Sequence, residues 1–178
     1  MIEEIIKADD TFSESTFLSN VDHIFIMILN AIENNNIEDV RHYLANDVYV
    51  NFNDMVSEYK SKKIKRLFDE MNVKTSRITG NMITDNFITI EVVLVSRYMD
   101  YFVDENNNYI SGVNDKRIEK THKIKLTKRR NTKHLEEARR CTYCGNILDL
   151  NNSGLCKFCR KPFKMVDYGY LVTYIDEI

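Results

Sequence analysis

Proline occurs once in this sequence, tryptophan not at all, and glycine only five times in 178 residues. That scarcity excludes collagen-like, proline-rich and Gly/Ser-linker character. No Gly-rich phosphate loop and no nucleophile elbow can be assembled from the five glycines. The four histidines, His23, His42, His122 and His134, form no His-Glu-x-x-His, and none stands at ligand spacing from a cysteine. His23 and His42 read as ordinary surface or boundary residues. No run of 18 apolar residues occurs; the longest stretch, Ile24 to Ile32, is interrupted by Asn30 and is too short to span a bilayer. The N-terminus, Met-Ile-Glu-Glu-Ile-Ile-Lys, is acidic where a signal or transit peptide would be basic. Together these absences point to a cytoplasmic protein. The single proline and the abundance of Asn, Ile and Lys point to an A/T-rich, low-GC bacterial genome.

What is present is globular: 43% hydrophobic and 29% charged residues. A chain of this length makes one domain, or one domain with a small appendage, and buries roughly 70% of its unfolded surface. The net charge of −2 hides an asymmetry. Between Lys116 and Arg140 stand eleven Lys or Arg against three Glu, so the rest of the chain is correspondingly acidic.

The polar first fourteen residues predict a flexible arm. Phe17, Val21, Ile24, Phe25, Ile28 and Ile32 then recur at helical spacing and predict a helix over 15–33. Asn34, Asn35 and Asn36 end it. A second helix is expected over 37–45 with Val40 and Leu44 inward. A third carries Val48, Phe52, Met55, Val56 and Tyr59, and a short fourth over 62–71 carries Ile64, Leu67, Phe68 and Met71. The period then changes to 2. Strands are expected over 73–83, 87–103 (Ile88, Ile90, Val92 and Leu94 to one side), 116–130 (Ile118, Ile124 and Leu126 inward, Lys123 and Lys125 outward) and 166–175, with a hairpin loop over 104–115. Helices followed by an antiparallel sheet define the α+β class.

The strongest chemical signal is Cys141-Thr-Tyr-Cys144 followed by Cys156-Lys-Phe-Cys159. Each Cys-x-x-Cys turn aims two sulfurs and several backbone N–H groups at one point, and two such turns complete a tetrahedron. Gly145 supplies the positive φ such a turn needs; Arg160 occupies the matching place in the second turn. Asn151 to Gly154 supplies the intervening turn. The spacing predicts one structural Zn(2+) ion per chain in a ribbon over 139–163, inserted into an α+β domain over 15–178. A knuckle aromatic such as Tyr143 or Phe158 is expected to pack on its own hairpin. Four thiolates leave no open coordination position, which excludes a catalytic zinc. Two reducible disulfides or free thiols are the alternative.

The segments Asp10-Thr-Phe12-Ser-Glu14-Ser-Thr-Phe17-Leu18, Asn36-Ile37-Glu38-Asp39-Val40 with Leu44, Asp47 to Tyr59, and Tyr98-Met99-Asp100-Tyr101 with the basic return strand resemble the C-terminal domain of the mitochondrial import-motor tether, subunit forty-four of the translocase of the inner membrane. The resemblance spans about Asp10 to Ile178 and includes bacterial members that carry paired Cys-x-x-Cys knuckles. It implies helices packed on a curved antiparallel sheet, the cone of nuclear transport factor two. It implies a membrane-peripheral or protein-binding habit and no known catalytic residue set. The long chaperone-tethering region of the mitochondrial protein is not found in these residues, so the import role does not carry over.

The expected function is therefore a non-catalytic binding or tethering module, docking on a protein partner or an anionic membrane surface. The residues expected to meet an anionic partner are Lys123, Lys125, Lys128, Arg129 and Arg130, then Arg139 and Arg140, then Lys157, Arg160 and Lys161 across the ribbon; a merely solvated strand face is the bland alternative. A nucleic-acid- or ribosome-associated ribbon protein is a second reading. It calls for aromatic residues interleaved with the cations. A small-molecule-binding cone or enzyme is a third, with Asp100 beside Tyr98 and Tyr101 as the candidate base.

Overall fold

A computed structural model describes residues 1–130, 140–141, 143–148, 155–163 and 169–177. Helices α1 (Ile2–Ala8), α2 (Glu14–Glu33) and α3 (Asn46–Ser61), with a 3₁₀ helix over Ile37–Tyr43 between the last two, precede four strands: β1 (Ile64–Ile83), β2 (Phe87–Asp104), β3 (Tyr109–Arg129) and β4 (Leu171–Glu177). The strands form one open antiparallel sheet in the order β1-β2-β3-β4. This is the expected α+β architecture, and its details show why the sequence folds so.

Ser13 caps α2 through its side chain, which accepts a hydrogen bond from the Thr16 N–H, offsetting one of the unpaired donors of the first turn. At the other end Asn35 takes a left-handed conformation (φ 53°). The Asn36 N–H then donates to the Ala31 carbonyl at 2.8 Å, so the helix closes as an αL-capped end. By length and composition α2 is apolar enough to cross a membrane. It is instead a core helix: Phe17, Val21, Ile24, Phe25, Ile28, Leu29, Ala31 and Ile32 are buried. Each large apolar side chain so buried contributes about 1.5–3 kcal/mol.

The sheet supplies the opposite wall. Buried and half-buried residues alternate along β2, and Ile88, Ile90, Val92 and Leu94 are all 0% exposed. Ile124 and Leu126 of β3 and Val172 of β4 extend this face. Ile118 is only half-buried, because β4 pairs with β3 only from His122 to Thr127. The polypeptide just before α3 meets the edge: the Ala45 N–H donates to the Val172 carbonyl at 2.9 Å.

Three expectations need correction. The N-terminal arm is not loose over its first residues: Ile2–Ala8 is helical and Ile5 is 0% exposed in the core. Its one fully buried anchor carries no periodic signal. The fourth helix does not exist, since residues 64–83 are a single strand. Ile64 and Phe68 share one face of the regular part of β1 and Leu67 lies on the other, while the bulge after Asp69 returns Met71 to the first face, so the set mimics helical spacing. Between Asp69 and Asn72 β1 gains a residue over β2, and it does so again between Val73 and Thr75 and between Ile78 and Gly80. Each bulge flips the inward parity, and Glu70 sits at φ 54° in the first. Finally, the β2–β3 loop is shorter than predicted, because β3 already begins at Tyr109. The expected connector over 131–138 and the start of the last strand, 166–168, lie outside the described residues.

Candidate metal centre and docking surfaces

The two cysteine turns are built alike. The Cys141 N–H donates to the Asn146 carbonyl at 2.8 Å, and the Gly145 N–H to the Cys141 carbonyl at 2.9 Å. Fifteen residues on, the Cys156 N–H donates to the Lys161 carbonyl at 2.9 Å, and the Arg160 N–H to the Cys156 carbonyl at 2.8 Å. Antiparallel bridges Arg140–Ile147 and Leu155–Pro162 close each turn. Gly145 has φ 73° and Arg160 φ 60°, so the second knuckle repeats the first with a side chain where glycine is favoured.

These turns bring the four sulfurs together. All four lie within 4.8 Å of one another, and Cys141–Cys159 and Cys144–Cys156 are each 3.6 Å apart. A tetrahedron with about 2.3 Å metal–sulfur bonds has edges of about 3.8 Å, whereas a disulfide needs about 2.05 Å. The cysteines are free of disulfides, and the set can hold one metal ion. The charge balance agrees. Backbone and side-chain N–H groups of Asn146 pull the Cys144 thiol down to about 6. At Cys159 the Lys161 N–H acts in the same direction, but burial and the neighbouring sulfurs push that thiol up to about 12. Crowded sulfurs resist joint ionisation until a cation compensates them.

Inside the ribbon, Leu148 and Phe163 pack on Cys141 and Cys156 as a separate small cluster. The Phe163 ring lies 6.1 Å from that of His42 on the 3₁₀ helix, which ties ribbon to platform. The knuckle aromatics do not pack on their hairpin as expected: Tyr143 and Phe158 are each 63% exposed. Lys161 lies over the Tyr143 ring, 4.8 Å from its centroid. Arg140 donates to the Gly145 carbonyl at 3.1 Å, and Lys157 and Arg160 are exposed. Arg139 lies outside the described residues, as does the turn over 151–154.

On the outer face of β3, Lys123 and Lys125 point outward as predicted, and both pair with Glu91 of β2, at 3.0 and 2.9 Å. Lys128 pairs with Asp9 and lies over Tyr170. Arg129 lies over Phe87, and Arg130 donates to the Thr84 carbonyl. Part of the basic stretch thus answers carboxylates of its own chain. Nothing in its sequence spacing could show this, because Asp9 is 119 residues from Lys128.

Asp100 also finds partners invisible in the sequence. It accepts both prongs of the Arg66 guanidinium, at 2.8 and 2.7 Å, and pairs with Lys120 at 3.0 Å. Burial acts to raise its pKa, but the Arg66 fork and Lys120 outweigh it and hold the carboxyl below its usual value. A carboxylate so clamped is a poor proton acceptor. Tyr98 behind it is buried, with its hydroxyl 3.5 Å from His122 Nε2. Tyr101, the other neighbour considered, donates instead to Asp69 at 2.6 Å.

No curated protein matches the chain. The crystal structure of the intermembrane space region of the chloroplast protein ARC6 is similar at a TM-score of 0.48 and 9% identity, over 90% of this chain and 95% of that one. The family model of the Tim44-like domain matches residues 1–137, which take in α1 to β3 and stop short of the first cysteine; the chain belongs to the Tim44-like domain family.

Proposed function

We propose that this protein is a non-catalytic tethering module: a Tim44-like platform that carries a zinc-stapled ribbon and docks on a protein partner or an anionic membrane surface from the cytoplasmic side. The observation that carries the proposal is that two candidate chemical sites among the described residues are closed. Asp100 is clamped by Arg66 and Lys120, and four sulfurs this close together would complete a tetrahedral coordination sphere by themselves, leaving no position for a reacting ligand. Zn(2+) is the ion that an all-thiolate tetrahedron suits best in a structural role. Cys141, Cys144, Cys156 and Cys159 would hold it.

Docking would use the outer face of β3. Glu91 answers both lysines there and Asp176 of β4 stands opposite Lys123, so the cations that extend this face beyond its own carboxylates are Arg129 and Arg130 at the end of the strand. Each cation near an anionic bilayer contributes about 1 kcal/mol. Flotation with vesicles containing anionic phospholipid, at low and high salt, tests this beside affinity purification from the native cell. The expected result is salt-sensitive flotation, or a stoichiometric protein partner, lost when Lys123, Lys125, Arg129 and Arg130 are replaced with Gln. Absence of both in the wild type would overturn the docking role.

A further inference from the structure

Two large aromatic rings stand out on a ribbon that gains nothing from exposing them. Tyr143 and Phe158 occupy the third position of their respective Cys-x-x-Cys turns. The inward side of each turn is taken by the sulfurs and the Leu148–Phe163 cluster, so both rings face solvent, each 63% exposed. Four cations accompany them, Arg140, Lys157, Arg160 and Lys161, against one carboxylate, Asp149, in the ribbon's sequence. Lys161 of the second knuckle lies over the ring of Tyr143 in the first, which brings both knuckles to one end of the ribbon. Arg160 holds a left-handed backbone where its counterpart is glycine. A side chain retained at a strained position points to a use for that side chain.

We propose that the knuckle end of the ribbon binds single-stranded nucleic acid, with bases stacked on Tyr143 and Phe158 and phosphates met by Arg140, Lys157, Arg160 and Lys161. This goes beyond the docking role of β3 and uses a different surface. Stacking on exposed rings beside cations is how single strands are held without reading their sequence. A broad anionic surface fits this end less well. An anionic headgroup layer offers partners to the cations but no bases to the two rings, whereas a single strand offers both.

Fluorescence anisotropy of labelled RNA and DNA 12-mers against the full zinc-loaded chain tests the proposal. Binding should weaken steeply with salt. Tyr143→Ala and Phe158→Ala should each lower affinity on the order of tenfold. Arg160→Gly, whose backbone suits glycine, should keep its zinc and lower the salt slope by about 0.7. A preference for RNA or for DNA would name the source of the strand. No binding at low salt overturns the proposal. So does affinity unchanged in both aromatic variants, or lost only when the β3 cations become Gln. Vesicle binding that depends on Tyr143 and Phe158, with no oligonucleotide binding, would assign the ribbon end to a lipid interface instead.

Discussion

His122 is the residue whose protonation the fold restrains most directly. It lies on the inner face of β3, its ring 4.7 Å from that of Phe25, with Tyr98, Lys120, Arg66, Asp176 and Glu177 around it. Burial pushes its pKa down to about 4. Its ordinary value in an unfolded chain is about 6.5, so below that pH the unfolded state binds the extra proton and the native state does not. The stability that neutral His122 contributes is therefore complete above pH 6.5 and is lost as pH falls towards 4, by up to about 3 kcal/mol. Urea unfolding followed by helical circular dichroism between pH 7 and 4 should show this slope. It should flatten in His122→Gln, and a slope unchanged by that substitution would contradict the assignment. The burial of this histidine was not legible in the sequence, because a single imidazole on a basic strand carries no signal of the apolar helix that covers it.

At the scale of elements, legibility followed the regularity of the local pattern. Helix α2 and strand β2 were readable residue by residue, since Phe17 to Ile32 and Ile88 to Leu94 repeat at undisturbed periods of 3.6 and 2. Strand β1 was not, because its three bulges break the parity that marks a strand. Helix α1 was hidden for the opposite reason. Seven residues with acidic Glu3 and Glu4 in the first turn offer too short a window for periodicity, and tertiary packing of Ile5 decides the outcome. That anchor is testable. Ile5→Ala should cost about 2–5 kcal/mol, the range for emptying a fully buried site. Hydrogen exchange should then rise over 2–8 and in β1, which α1 touches through Glu4 and Asn81. A loss below about 0.5 kcal/mol, the size of a surface change, would mean that α1 is not docked.

The molecule as a whole is a Tim44-like platform with its own large core and a ribbon with a core of one leucine, one phenylalanine and three of the four cysteines. So small a cluster cannot offset the conformational entropy of ordering its chain, roughly 1–2 kcal/mol per residue for the backbone alone. Metal ligation, at about 10–16 kcal/mol for structural zinc in small peptides, can. The clustering of the four cysteines was legible because its geometry is encoded locally in two four-residue turns. The ion pairs that engage Lys128 and Asp100 were not, because they join residues far apart in the chain. Hydrogen-exchange mass spectrometry of chain purified without added metal, before and after a strong chelator, tests this division most directly. The account predicts one zinc per chain, and on its removal a loss of protection confined to about residues 140–163, with α2 and β2 unchanged. A metal-free chain with a protected ribbon, or loss of protection throughout the platform on chelation, would contradict it.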